Sequence, residues 1–305
     1  MSVMTEPLTD VVRQDDGGAK RRRTQRKVLS YGLLLLFAAF YVGPLLMLVT
    51  ASLKTLPEFF KNPTGLPESL AFGNFSEAWQ SANFPRFMLN SLIYTVVATT
   101  LFVLMSVFVA FPIARGYVKG AGALLTLYVV ALFLPPALIP QFQLILNFPE
   151  FFTQIWFEGS AEQGLFNTRT GYILLFLINP IGLIILVNYI KSIPRELDES
   201  AAVDGCGYVR FVFSILIPLI RPAIATVTVI HAIGIWNELI LPTIYLTNKD
   251  YYPITRGMIV FQGVYGSDWP TLAAAVLIMT LPMVVIFLVL QRYIVSGLTA
   301  GAVKG

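Results

Sequence analysis

Six apolar stretches of near membrane-spanning length constrain this chain more than any other feature. They lie at about 28–49, 87–111, 123–146, 172–190, 223–241 and 272–289. A helix needs about 20 apolar residues to cross a bilayer. Only 12% of the residues are charged, against about 25% in soluble domains. Backbone polar groups inside a bilayer must bond within the protein, so the sequence predicts an all-α polytopic membrane protein with six transmembrane helices.

The distribution of basic residues predicts the topology of these helices. If both termini lie inside, 15 of the 21 Lys and Arg residues fall in cytoplasmic segments. This bias follows the positive-inside rule. Residues 1–27, which end in a basic run from Lys20 to Lys27, are predicted to form a disordered cytoplasmic tail. The transmembrane domain is predicted to cover 28–305. No small-residue cleavage site of a signal peptide follows its first span, so that span is expected to remain uncleaved.

The same sequence disfavours most catalytic functions. It has one histidine and one cysteine, Cys206, so it offers no metal-ligand spacing, no Cys–His pair and no intramolecular disulfide. It also lacks a Walker-type glycine loop for binding ATP. A membrane-embedded enzyme would need a convergent set of acids and bases, which the sequence does not display.

A polar run between the fourth and fifth stretches predicts a helix–turn–helix at 191–221, which we call the elbow. Pro194 and the acids after it suit a helix N-terminus. Gly205 and Gly207 are predicted to end that helix. A second short helix, 208–216, is expected to stop at Pro218. The elbow is expected to lie on the cytoplasmic side, in a shape that another protein can grip.

The elbow sequence resembles the EAA loop of binding-protein-dependent ABC importer permeases. Glu199-Ser-Ala-Ala-Val-Asp-Gly205, nine residues, then Ile215-Leu-Ile-Pro218 keeps the family spacing, with Ser200 and Ile217 as mild departures. The resemblance implies a coupling helix that docks in a cleft of a cytoplasmic ATPase, with Glu199 opposite a basic residue. The alternative is an ordinary amphipathic loop. The expected ATPase-coupling residues are Glu199, Ala201, Ala202, Asp204 and Gly205.

The C-terminal run resembles the maltose-type, or carbohydrate, subgroup of the same family. Leu298-Thr-Ala-Gly-Ala-Val-Lys-Gly305 and Trp236-Asn-Glu238 carry this likeness. It implies a non-catalytic permease subunit for a sugar or oligosaccharide, in the cytoplasmic membrane of a bacterium or archaeon. Its expected partners are a second related permease, two copies of an ATPase subunit that binds the ATP, and an external substrate-binding protein. No cofactor is expected on this chain, and no nucleic acid.

The fifth stretch supplies candidates for a transport pathway. Thr228, His231, Ile235 and Glu238 recur at the spacing of one helix face. Ionisable residues inside a membrane are costly and point to function. His231 could instead join two helices, and Glu238 could cap a helix. A proton-coupled secondary transporter with these two residues as its relay is the main alternative function. The candidate pathway residues are Thr228, His231, Asn237 and Glu238.

The outer loops provide the remaining expectations. By resemblance to maltose-type importers, the loop 242–270 is expected to contact the binding protein, at Gly263, Tyr265 and Gly266. The aromatic loop 50–86 suits the membrane interface or short amphipathic helices. The loop 147–170 is longer and more aromatic than is usual in the family. Prolines in the third and fourth stretches are read as kinks or as breaks in discontinuous helices: Pro135, Pro136, Pro140 and Pro180.

Overall fold

A computed structural model of the chain describes residues 16–81, 83–134, 137–147 and 164–302. The regular elements within these ranges are helices. The first half contains α1 (Asp16–Ser52), α2 (Leu56–Lys61), α3 (Gly73–Gln80), α4 (Phe84–Arg115), α5 (Ala121–Ala131) and α6 (Leu138–Leu146). The second half contains α7 (Arg169–Leu174), α8 (Pro180–Lys191), α9 (Glu196–Val203), α10 (Tyr208–Leu219), α11 (Arg221–Trp236), α12 (Ile240–Tyr245), a 3-10 turn (Lys249–Tyr251), α13 (Ile254–Tyr265) and α14 (Trp269–Ala302).

Three of the described helices are long and apolar enough to cross a membrane. These are Lys27–Ser52, Phe84–Arg115 and Trp269–Val289. The pair α10 and α11 would be a fourth if counted as one span, although the two helices meet at 84°. The helices α5 and α8 are apolar but shorter. The described part of this multi-pass membrane protein is therefore all-helical, and the count of six spans remains a prediction.

The third and fourth apolar stretches are interrupted helices, the second of the two alternatives that the prolines left open. The third is divided into α5 and α6, with Pro140 in the first turn of α6 and Pro135 and Pro136 outside the described residues. The fourth is divided because Asn179 caps α8, accepting a hydrogen bond from the Gly182 N–H at 3.1 Å. Pro180 then occupies the first helical position, where no backbone donor is needed.

The N-terminal boundary also differs from the prediction. The helix α1 begins at Asp16, so residues 16–27 continue the first helix rather than forming a disordered tail. Residues 1–15 lie outside the described part of the chain. The most apolar part of α1 has none of its residues buried within the chain, and the helix contacts α14. This exposure suits a helix surrounded by lipid or by another subunit.

The helix α4 connects two separate hydrophobic cores. The inner core joins the second half of α4 to α8, the elbow and the start of α11, and it includes Phe102, Leu186, Val212 and Ile220. The outer core joins the first half of α4 to α7, the end of α11, α13 and the start of α14, and it includes Phe87, Tyr172, Trp236 and Ala274. Residues of α4 thus contact both ends of the molecule.

Candidate functional site

A Schellman motif shapes the turn between the two elbow helices. The Gly205 N–H donates to the Ala202 carbonyl at 3.1 Å, and the Cys206 N–H donates to the Ala201 carbonyl at 2.9 Å. Gly205 has a φ of +71°, in the left-handed region that favours glycine. A β-carbon on Gly205 would meet no atom within 4 Å, so the requirement for glycine is conformational rather than steric. The prediction that Gly205 ends the first elbow helix is confirmed.

The second elbow helix is longer than predicted. It passes Pro218 and ends at Leu219, because Val212–Leu216 form a π-helical turn before the proline. In a π-helical turn each N–H bonds to the carbonyl five residues earlier, which changes the bonding pattern just before Pro218. Pro218, which has no N–H, then lies in the first turn of a short helix, where no backbone donor is needed. The chain then bends at Ile220 into α11. The elbow therefore leads directly into α11.

Most of the expected coupling residues lie on an exposed face of the elbow, and one lies on a buried face. Glu199, Ala202 and Asp204 are exposed, and Val203 is 88% exposed at the end of α9. Ala201, by contrast, is only 6% exposed and packs in the inner core. This small side chain lets α9 approach the rest of the chain, and the expected ATPase contact of Ala201 stays a prediction.

A buried ion pair that sequence reasoning missed joins the elbow to α4. The Arg115 guanidinium contacts the Asp198 carboxylate, with Nη2 donating to Oδ1 at 3.1 Å. The second contact, Nε to Oδ2, has the separation of an ion pair without the alignment of a hydrogen bond. The side chains are 2% and 9% exposed. The available signal was a lone arginine at the end of an apolar helix, directly before Gly116.

Tyr208 makes a second contact between the elbow and α4. Its hydroxyl donates to the Phe108 carbonyl at 2.7 Å. A cavity of about 210 Å³ lies between the elbow and the end of α4. Its lining residues are Phe111, Tyr117, Asp198, Ala201, Ala202, Cys206, Tyr208 and Phe211.

Two of the candidate pathway residues have structural partners. His231 is 5% exposed, stacks on Phe102 at 4.2 Å between ring centroids, and lies 2.9 Å from the Asn179 amide through Nδ1. Because the Asn179 oxygen accepts from Gly182, its amide nitrogen is the donor to Nδ1. His231 thus joins three helices, α4, α8 and α11. These contacts favour the interhelical role.

Glu238 lies beyond the helix face on which the sequence placed it. The helix α11 ends at Trp236, and Glu238 Oε1 accepts from the N–H groups of Ile240 and Leu241 at 2.8 and 3.1 Å. It therefore caps the start of α12, the structural alternative considered from the sequence. Thr228 is half-buried within α11. The fold does not bring the four candidates onto one open surface.

Asn237 is the candidate that lines an open groove. This groove of about 300 Å³ lies between α11 and α14. It is mostly apolar, and Asn237 and Thr280 contribute its polar side chains. Its lining residues are Ile233, Trp236, Asn237, Met279, Thr280, Met283, Val284 and Phe287. We call it the α11–α14 groove.

The outer loop 242–270 is held by the first turns of α4. The Asn90 amide donates to the carbonyls of Asp250 and Tyr252 at 2.8 and 3.0 Å, and Ser91 Oγ accepts from the Ile254 N–H at 2.7 Å. These three polar contacts position α13. The expected binding-protein contacts lie at the far end of that helix, where Gly263 and Gly266 are exposed and Tyr265 is the last helical residue.

The loop 147–170 is described only at its end, since residues 148–163 lie outside the described part of the chain. Asn167 Oδ1 accepts from the N–H groups of Thr247 and Asn248, both at 2.9 Å. The end of this loop is therefore tied to the loop 242–270. The expectation that its aromatic part differs from the usual family loop stays untested.

The arrangement of an elbow at one end of an apolar helical bundle agrees with the family resemblance. Residues 80–300 match the family described as the binding-protein-dependent transport system inner membrane component. The chain belongs to this family.

Named relatives within the matched proteins transport carbohydrates. The chain is 29% identical to the diacetylchitobiose uptake system permease protein of Streptomyces coelicolor, over 90% of this chain and 88% of the relative. It is 30% identical to the melibiose/raffinose/stachyose import permease protein of Bacillus subtilis, over 94% of this chain and 99% of the relative. Both comparisons cover nearly the full length of both proteins.

Solved structures share the fold. A bacterial ABC transporter involved in the import of the acidic polysaccharide alginate matches with a TM-score of 0.76, covering 95% of this chain and all of that chain at 20% identity. The alginate transporter in complex with an alginate pentasaccharide-bound periplasmic protein matches with a TM-score of 0.64, covering 92% and 96%. At this identity the likeness establishes the fold alone.

Proposed function

We propose that this chain is a permease subunit of an ATP-driven ABC importer for a sugar or oligosaccharide. The observation that carries the proposal is the elbow, a Schellman-closed pair of helices with an exposed acidic face, in a chain of the permease family. In this account the elbow and both termini lie in the cytoplasm and six spans cross the cytoplasmic membrane. ATP hydrolysis takes place on a separate subunit.

The elbow surface supports docking into an ATPase. The exposed residues of α9 include Glu199, Ala202 and Val203. Val203 presents an apolar side chain, and its burial in a partner would stabilise the complex. An exposed ion pair is worth only about 0–1 kcal/mol, so Glu199 alone would hold a partner weakly. Buried apolar area would then supply most of the affinity, and the charge of Glu199 would set the register of the helix in its cleft.

The α11–α14 groove is the proposed wall of the pathway on this subunit. It opens beside Asn237 and Thr280, which can bond to hydroxyl groups, and most of its lining is apolar. Sugars present both hydroxyl groups and apolar ring faces. A single chain leaves the groove open on one side, so a second, related permease would close it. The relatives' carbohydrate substrates support a sugar as the cargo.

Alternating access describes how these parts would work together. Closure of an ATPase dimer would move the elbow, and the elbow continues directly into α11 through the bend at Ile220. Movement of α11 relative to α14 would reshape the groove between them. At the outer face, the end of α13 would contact a loaded substrate-binding protein, as the complex of the structural neighbour with its periplasmic protein illustrates.

A proton-coupled transporter is the less favoured function. Its relay would need His231 and Glu238 free to exchange protons. In the structure His231 Nδ1 accepts from Asn179, and Glu238 holds two backbone N–H groups at the start of α12. Family membership also favours import driven by a separate ATPase.

Purification of the tagged chain from its own cells in mild detergent tests the proposal. We expect a second permease and an ATPase to copurify, with two ATPase copies for each permease pair. Photo-crosslinking from position 265 during turnover should capture a substrate-binding protein, whereas the same probe at the half-buried Thr228 should not. A chain that purifies alone and still transports a sugar would contradict the proposal.

A further inference from the structure

The helix α4 holds the elbow at one end and the outer loop at the other. Its 32 residues give it a length of about 48 Å, enough to cross a bilayer. Arg115 lies at its inner end, and Asn90 and Ser91 lie near its outer end. Both ends make buried polar contacts with segments that are distant in sequence. Such directional contacts fix one element on another in a way that apolar packing alone does not.

The inner contact is fixed by the way α4 ends. Gly116 has a φ of +76°, and its N–H donates to the Ile113 carbonyl at 3.2 Å. The Tyr117 N–H donates to the Pro112 carbonyl at 2.9 Å, which completes a second Schellman motif. The backbone of Arg115 therefore has a defined position at the helix terminus.

The Arg115 side chain uses that position to join three segments. Nη1 donates to the carbonyls of Ile190, in the last turn of α8, and Ile193, just beyond it, at 3.3 and 3.0 Å. Nη2 and Nε face the Asp198 carboxylate in α9, and the guanidinium lies 5.8 Å from the Phe111 ring centroid. A forked guanidinium can make all of these contacts at once, whereas a lysine ammonium cannot.

The outer contact is equally specific. Asn90 and Ser91 are each 2% exposed, and both bond to backbone groups of the segment 250–254. Arg86, one turn earlier, pairs with Asp250 at 2.9 Å. Gly257 in α13 packs so closely on Phe87 that an added β-carbon would lie 2.1 Å from the ring. The outer loop therefore moves with the first turns of α4.

We propose that α4 transmits movement of the elbow to the outer loop, with the Arg115–Asp198 ion pair as its inner joint. This inference rests on the proposed function, since it assumes that an ATPase moves the elbow. It adds a positioning role for Arg115 and Asp198, neither of which is in the exposed face assigned to ATPase contact. Nucleotide binding inside would then alter the outer loop through a single continuous helix.

The test measures how accessible the outer loop is to a labelling reagent while the inner joint is mutated. The assembled complex carries Cys206→Ser and Gly263→Cys, and an added β-carbon at Gly263 meets no atom within 4 Å. A membrane-impermeant maleimide labels position 263 with and without ATP and vanadate. Labelling rates should differ between the two states by about fivefold or more, the lower end of ordinary coupling. Arg115→Gln with Asp198→Asn removes both buried charges together and should abolish the difference.

Two further variants make the result decisive. Lys119→Gln changes an exposed cation just beyond the same helix and should keep the nucleotide-dependent difference. Arg115→Lys retains the charge but not the fork, and should reduce the difference while the complex still assembles. Unchanged nucleotide dependence in the double variant would overturn the inference. Loss of assembly in both Arg115 variants would also overturn it, because the pair would then serve folding rather than transmission.

Failure of this inference can be distinguished from failure of the proposed function. ATP-dependent uptake is measured on the same complex without the joint mutations. If uptake needs ATP but labelling at position 263 never responds to nucleotide, the role of α4 fails and the importer function stands. If uptake does not need ATP, the importer function fails, and α4 has no elbow movement to transmit.

Discussion

Gly205 is the residue whose backbone most directly determines the form of the elbow. Its φ of +71° lies where a side chain clashes with the backbone, at a cost of about 1–2 kcal/mol or more for a β-branched residue. Gly205→Val should keep the chain in the membrane but lower uptake for each ATP hydrolysed. Gly207→Val is the matched control, because Gly207 has an ordinary extended backbone (φ −68°). Normal coupling in the Gly205 variant would contradict this role.

Glu199 provides a second prediction at the residue scale. Its carboxylate is exposed on α9, so its removal should cost the chain little stability. We expect Glu199→Ala to reduce substrate-stimulated ATP hydrolysis more than it weakens copurification with the ATPase. Glu196→Ala, an exposed acid one turn earlier, serves as the control. If both variants keep stimulated hydrolysis and uptake, Glu199 only favours the start of the helix.

The two alanines beside Glu199 should now behave differently. Ala202 is exposed, so Ala202→Trp should leave the permease folded and block ATPase docking. Ala201 is buried in the inner core, so Ala201→Trp should disturb the elbow itself and lower the thermal stability of the isolated permease. Thermal unfolding in detergent, measured together with ATPase copurification, separates the effects. Equal loss of stability in both variants would be evidence against the exposed docking face.

At the scale of elements, Gly182 allows three helices to meet. A β-carbon there would lie 2.7 Å from the Phe102 ring and 3.0 Å from Val227 Cγ1, so α8 approaches α4 and α11 only because the side chain is absent. Gly182→Leu should overpack this contact at a cost of about 1–3 kcal/mol. We expect a lower melting temperature for the permease in detergent. Gly234→Leu is the control, because a β-carbon at Gly234 meets nothing within 4 Å.

The segment from α2 to α3 should lie in the outer membrane interface. It directly follows α1 and exposes large apolar side chains, including Leu66 at 81% and Phe72 at 63%. Trp and Tyr residues are enriched at this depth, and Trp79 in α3 is 45% exposed. Spin labels at these two positions, in a Cys206→Ser background, should be relaxed more by oxygen than by a water-soluble nickel complex. Labels that respond mainly to nickel would place the segment in water.

Some features of this fold are encoded locally in the sequence, whereas others depend on contacts between distant residues. The break after Gly205 and the interruption at Asn179-Pro180 follow from backbone preferences of glycine and proline, so they were predictable. The passage of α10 through Pro218 was not, because the preceding π-helical turn arises from packing of the elbow. The burial of Ala201 and the Arg115–Asp198 pair depend on contacts between residues far apart in the chain.

At the scale of the whole molecule, the predicted multi-pass helical class is confirmed, and the pathway candidates illustrate the limit of one-dimensional spacing. Thr228, His231 and Glu238 share a helical period, but α11 ends at Trp236 before that period is complete. The open groove depends instead on residues from α14 that no spacing in the fifth stretch could identify. Pathway residues are harder still to identify in a membrane protein, because an apolar residue that faces lipid and one that faces another helix cannot be distinguished from the sequence.

A measurement of the energy source for uptake is the most direct test of the central claim that this chain is part of an ATP-driven importer. The complete complex is placed in proteoliposomes with labelled raffinose or diacetylchitobiose as probes, the sugars carried by two relatives. Uptake of whichever sugar the complex carries should require ATP and a substrate-binding protein, and a protonophore should not reduce it. Uptake by this chain alone, driven by a proton gradient without ATP, would contradict the account.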